Sequence, residues 1–125
     1  MIGMVAEGIS LAIRKAFGSA VGISHEELPQ DLKGPYFFIL PLMALEEPHP
    51  CARSLYQYSF DVHYFPLQGL HKNKDMLAVA EKLRDVLRVI QLSDGPVRGI
   101  NLQYEIIDNV LHFLVTYKIF VTERM

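Results

Sequence analysis

The sequence predicts an α+β fold: two helices on one face of a mostly antiparallel sheet of four to five strands, in the order helix-strand-strand-strand-helix-strand-strand. Two segments place apolar residues at helical spacing. Others alternate so strictly that each strand is apolar on one side only and needs a covering layer. With 125 residues the chain has the size of a single domain, 1–125, able to bury a core without disulfide or metal.

In chain order, Ile2, Val5, Ile9, Ile13 and Ala16 form one stripe opposite Gly3, Glu7, Ser10 and Arg14, which predicts an amphipathic helix over 2–17 stopped by Gly18. Gly3 and Gly8 each cost such a helix about 1 kcal/mol relative to alanine, so it depends on docking. Val21-Gly22-Ile23 reads as a short strand, and residues 25–34 as a polar connector. Tyr36 to Leu40 is a continuous run of β formers, read as a strand buried on both faces that bends or lies near an edge at Pro41. The two prolines in Glu46-Glu47-Pro48-His49-Pro50-Cys51 read as an extended loop.

Tyr56, Tyr58, Phe60, Val62 and Tyr64 then take one side of a strand, with Gln57, Ser59, Asp61 and His63 on the other. After a connector at 67–72, Asn73 is positioned to cap a second helix carrying Met76, Ala80, Leu83, Leu87 and Ile90 inward, with Glu81/Arg84 and Asp85/Arg88 paired outside. Gly95-Pro96 ends it. Val97 to Val121 writes a hairpin about Asp108-Asn109, pairing Ile107/Val110, Ile106/Leu111, Tyr104/Phe113, Leu102/Val115 and Ile100/Tyr117. The opposite side carries Glu105/His112, Gln103/Leu114, Asn101/Thr116 and Gly99/Lys118.

Half the residues are hydrophobic, 21% are charged and the mean hydropathy is +0.18, a surplus of apolar surface that points to an interface. A formal charge of -2 supplies no cationic field for nucleic acid. One cysteine, Cys51, leaves no internal disulfide and fits a reducing compartment. Without a basic leader or a run of about 18 apolar residues, the expectation is a cytosolic, soluble chain.

Candidate chemistry is sparse. His25-Glu26-Glu27, His49 with Cys51, and Asp61 with His63 match no metal-ligand spacing, and two polar groups on a wetted face account for Asp61 and His63. Cys51 has no local nucleophile signature, and His112 opposite Glu105 is an ordinary cross-strand pair. No glycine-rich phosphate loop occurs. The row Tyr56, Tyr58, Phe60, Tyr64 lacks interleaved arginines and is read as core rather than as a base-stacking platform. No catalytic, cofactor or metal residue is expected.

Three segments taken in order are informative: Gly34-Pro35-Tyr36-Phe37-Phe38-Ile39, Phe60-Asp61-Val62-His63-Tyr64-Phe65-Pro66, and Tyr104 to Phe113. With a helix before them and another between the last two, the chain resembles the phage tail terminator family of tailed phages and prophages of Gram-positive bacteria. It departs from the family at Asp108-Asn109, where Asp-Gly is common, and around Cys51. The resemblance implies a structural role without catalysis: a homo-oligomer, typically a hexameric ring, that caps the tail tube and presents a surface to the head-tail connector. It also implies a place in the virion tail, with assembly in the host cytoplasm.

Two interaction surfaces are expected. The polar sheet face bearing Gln57, Asp61, His63, Gln103 and Glu105 would line the ring channel or a subunit seam, weakly acidic so that DNA passes without specific binding. The segment Glu46, Glu47, Pro48, His49 and Pro50, up to Arg53, and the connector from Leu67 through Lys72 to Lys74 would reach the tube or an adjacent subunit. The alternatives are a head-completion or neck protein, and a small metal-assisted hydrolase using His63 with Asp61 or Cys51 with His49.

Overall fold

The structure, a computed structural model, describes residues 1–26, 35–66 and 72–122. Its elements are α1 (Ile2–Phe17), a 3-10 turn (Gly18–Ala20), β1 (Gly22–Ser24), β2 (Tyr36–His49), β3 (Arg53–Phe65), α2 (Lys72–Leu87), β4 (Val89–Leu92), β5 (Gly95–Ile107) and β6 (Val110–Thr122). The strands form one sheet in the order β1-β2-β3-β6-β5-β4. Every pairing is antiparallel except β1 with β2. The α+β class and the one-sided covering agree with the sequence; the sheet has six strands, not four to five.

The core lies between the helices and one sheet face. Val5, Ile9 and Ile13 of α1 and Met76, Ala80, Leu83 and Leu87 of α2 meet Phe37 and Ile39 of β2, Tyr58, Phe60, Val62 and Tyr64 of β3, and Leu111, Phe113, Val115 and Tyr117 of β6. Gly18, at φ 75, ends α1 as expected. Arg14 donates to the carbonyls of Gly18 and Val21 at 2.9 and 2.7 Å, tying that helix end to β1. Gly8 faces β4 so closely that an added Cβ would meet Leu92 Cδ2 at 2.9 Å. The helix former lost there is replaced by close docking.

Five expectations are corrected. Pro48 and Pro50 do not mark a loop from residue 46, because β2 continues to His49 and pairs Glu46, Glu47, Pro48 and His49 with Tyr56, Leu55, Ser54 and Arg53. Only Pro50 to Ala52 turn, with Cys51 and Ala52 at φ 65 and 57. β2 is buried at Phe37 and Ile39 alone, not on both faces, because nothing described lies over its other side. Helix α2 starts at Lys72, so Asn73 lies inside it, and it ends at Leu87. Ile90 is buried from β4, a strand the sequence reading absorbed into the helix. Outside α2, Arg88 approaches Asp85 at 3.8 Å as expected, whereas Arg84 lies 4.0 Å from Asp85 rather than pairing with Glu81. The short first strand falls on Gly22–Ser24.

The hairpin holds its expected register from Ile107/Val110 to Gln103/Leu114, then slips by one residue. Asn101, at φ 54, and Leu102 form a bulge, so Ile100 faces Thr116 and Gly99 faces Tyr117. The slip follows from packing at the end of α2. Tyr117 Oη donates to the Leu87 carbonyl at 2.8 Å and Gly99 N–H to that of Arg88 at 2.7 Å, satisfying two terminal helix carbonyls. A Cβ on Gly99 would lie 2.7 Å from Leu87 O, so only glycine fits there. The expected connectors at 27–34 and 67–71 lie outside the described residues.

Candidate functional site

The helices leave one sheet face and two strand edges uncovered. Strand alternation puts Gln57, Ser59, Asp61 and His63 of β3 on that face, beside Lys118, Thr116, Leu114 and His112 of β6 and Gln103 and Glu105 of β5. Five of the expected residues, Gln57, Asp61, His63, Gln103 and Glu105, are therefore brought together. The face is less polar than expected. β2 contributes Leu40, Met43 and Leu45 as partners of Asp61, Ser59 and Gln57, and Met43 is 58% exposed. A hollow of about 480 Å³ lies there, lined by Leu42, Met43, Ser59, Gln103, Leu114 and Thr116. Both sheet irregularities, at Leu42 and at Asn101–Leu102, sit beside it.

Within the face, Ser59 Oγ and Thr116 Oγ1 are hydrogen-bonded at 2.8 Å. Two residue pairs further along the face, His112 does not turn to Glu105, its cross-strand neighbour. Its Nδ1 lies 3.1 Å from Asp61 Oδ2, and His63 Nε2 lies 2.9 Å from the same oxygen. The sequence named Asp61 and His63 but missed His112 as their partner, because that contact depends on β6 lying next to β3.

The other expected residues are dispersed. Glu46 is on the helix side, where it accepts a hydrogen bond from Tyr58 Oη at 3.2 Å; burial, then Glu46, pushes that phenol up to about 12. Glu47, Pro48, His49 and Pro50 form the projecting end of the β2–β3 hairpin, with His49 4.0 Å from Glu47 and edge-on to Phe120. Arg53 stacks over Phe120 from the adjacent strand. Cys51 is exposed at the turn. Lys72 opens α2 in the covering layer, remote in the fold from the uncovered face.

Besides the short terminal strands β1 and β4, two stretches have no strand partner on their outer side among the described residues. β1 pairs only with Tyr36 to Phe38 of β2, leaving 39–49 as an edge, and β4 pairs only with Gly95 to Arg98 of β5, leaving 99–107. These edges bound opposite sides of the sheet and carry exposed Leu42, Met43 and Leu45 on one, Tyr104 and Ile107 on the other.

A family model described as "Phage tail terminator protein" matches residues 4–124. The chain belongs to the phage tail terminator family. The match takes in both helices, all six strands and both open edges, and it makes this terminator a structural component of the phage tail. No curated protein matches the chain. Several solved structures match; one of them is 13% identical with a TM-score of 0.40, covering 95% of this chain and 96% of that one, a likeness too distant to bear on function. No helix among the terminator's described residues is long and apolar enough to cross a membrane.

Proposed function

We propose that copies of this terminator join edge to edge into a closed ring, hexameric as the family resemblance implied, which caps the tail tube and meets the head-tail connector. The observation that carries this reading is the pair of open edges on opposite sides of one sheet. Joining β2 of one copy to β5 of the next is a head-to-tail contact, and such contacts build rings when the rotation closes. Long unpaired edges with exposed apolar side chains are a liability in a monomer and a ready template in an assembly. Pro41 and Pro48 each lack a donor, so pairing on β2 centres on the residues between them.

In that ring the uncovered face lines the channel. Along its centre Asp61 and Glu105 oppose DNA adhesion, while the cations Lys118 and Arg53 lie toward the hairpin end. The wall therefore offers little counterion release to a passing duplex. The proposed role is mechanical, without catalysis, in the virion tail after assembly in the host cytoplasm.

Native mass measurement and negative-stain imaging, with and without the cognate tail tube protein, test it. The wild type is expected as a ring seated at one tube end. Met43→Lys with Leu45→Lys, both at exposed positions, should leave a folded monomer that fails to cap tubes. Rings that persist in the double variant refute edge joining through β2, and binding to a head or neck component instead of the tube refutes the terminator reading.

A further inference from the structure

Asp61 and His63 stand two residues apart on β3 and so share a side of the sheet. His112 on β6 is the direct ladder partner of His63. The three side chains are mostly buried, at 13%, 18% and 21% exposure, although the face has no covering layer. One oxygen, Asp61 Oδ2, lies 2.9 Å from His63 Nε2 and 3.1 Å from His112 Nδ1, and the two imidazoles meet edge to face at 4.2 Å. One donor atom from each residue lies within 4.8 Å of the other two.

Hydrogen bonding satisfies only part of this cluster. His112 Nδ1 and Asp61 Oδ2 are hydrogen-bonded. His63 Nε2 is close to that oxygen but off the direction a hydrogen bond requires, and Asp61 Oδ1 has no partner; both atoms are shielded from solvent. Two buried, unsatisfied donor atoms beside a third call for a further ligand.

We propose that Asp61, His63 and His112 bind one divalent transition-metal ion of the zinc class. Two imidazoles and one carboxylate select such an ion over calcium or magnesium, which prefer all-oxygen sites. Bonds of about 2.0–2.2 Å at right-angle to tetrahedral geometry place neighbouring ligand atoms about 2.9–3.5 Å apart, and the two measured separations fall in that range. Three protein ligands leave a coordination position toward the open face, where water or the carboxylate of Glu105, the ladder partner of His112, completes the shell. The ion cross-links the two central strands within one copy, so the site needs no neighbouring subunit and its test does not depend on ring formation.

The test uses the untagged full chain, Zn2+ titration against a chromophoric chelator, and visible absorption on Co2+ substitution. One equivalent of Zn2+ per chain is expected, with a Co2+ ligand-field spectrum that Zn2+ displaces and a melting temperature that rises on loading. Loss of an outer partner already weakens metal sites by about tenfold or more, so His63→Gln or His112→Gln should weaken binding at least that much. Asp61→Asn, nearly isosteric, should do likewise with unchanged circular dichroism. His49→Gln and Cys51→Ser should change nothing. No saturable binding overturns the proposal, as does binding that survives His63→Gln with His112→Gln or is lost with Cys51→Ser.

Discussion

Gly99→Ala discriminates between the two registers of the central hairpin. With the bulge at Asn101–Leu102, Gly99 faces inward opposite Tyr117, and an added Cβ would lie 2.7 Å from Leu87 O, 2.9 Å from Val115 Cγ2 and 3.2 Å from Tyr117 Cε1. Val115 can rotate; a helix-terminal carbonyl that accepts the Tyr117 hydroxyl cannot move without breaking that bond. Overpacking of this kind costs about 1–3 kcal/mol. A buried hydroxyl left unpaired adds about 1–3 kcal/mol. The combined loss, not strictly additive, should lower the melting temperature by about 5–15 °C for a domain of this size. Gly3→Ala is the control: nothing lies within 4 Å of its added Cβ, and alanine in a helix should gain about 0.5–1 kcal/mol. Urea denaturation of both variants measures the difference. In the unslipped ladder Gly99 would oppose Lys118 on the open face, where an extra methyl is harmless. A Gly99→Ala midpoint within about 0.5 kcal/mol of the parent therefore refutes the bulge.

Ala52 holds φ 57 at the hairpin turn, a conformation costing a non-glycine residue about 1 kcal/mol, so Ala52→Gly should raise the urea midpoint. Tyr64→Phe removes the 2.8 Å hydrogen bond to Asp75 Oδ2 that pins β3 to α2, for an expected loss of about 1–2 kcal/mol by the same assay. Burial raises the Tyr58, Tyr64 and Tyr117 phenols, Tyr58 from 10.0 to about 12. Because the fold favours the neutral form, their contribution is intact below pH 10 and is lost as pH rises through the folded values. In a Tyr36→Phe, Tyr56→Phe, Tyr104→Phe background, which leaves only these three phenols, tyrosinate absorbance should therefore appear together with unfolding, and a gradual rise in a chain still folded by circular dichroism would contradict it.

The parts legible in the sequence were those set by local rules. Helix α1 was placed from Ile2 to Phe17 because its stripe and Gly18 are both local signals, and the Asp108-Asn109 turn fixed the hairpin's distal register because both residues tolerate positive φ. The misread parts depend on distant partners. The slip at Asn101 answers to Leu87 O, and β4 was hidden because Ile90 continues the rhythm of α2. Pro48 misled because β2 has no described strand beyond it there, and an edge strand tolerates a proline. Asp61 and His63 were visible as a pair, while His112, 51 residues from Asp61, could join them only once the strand order was known.

The fold seals one face of its sheet and leaves the other open. Both helices spend their apolar stripes on one side, so Tyr58, Phe60, Phe113 and Tyr117 are sealed without help from another copy. The same two helices cannot also cover the far side or the distal strand edges. Exposed Leu42, Met43 and Leu45 follow from that geometry, because β2 runs past the end of β1 into a hairpin with no layer above it. A monomer selected for solubility alone would shorten or charge that strand. Its retention beside a polar ladder of Ser59, Thr116, Asp61 and His63 supports the proposed ring, in which the core is complete in each copy and the edge contacts come from its neighbours.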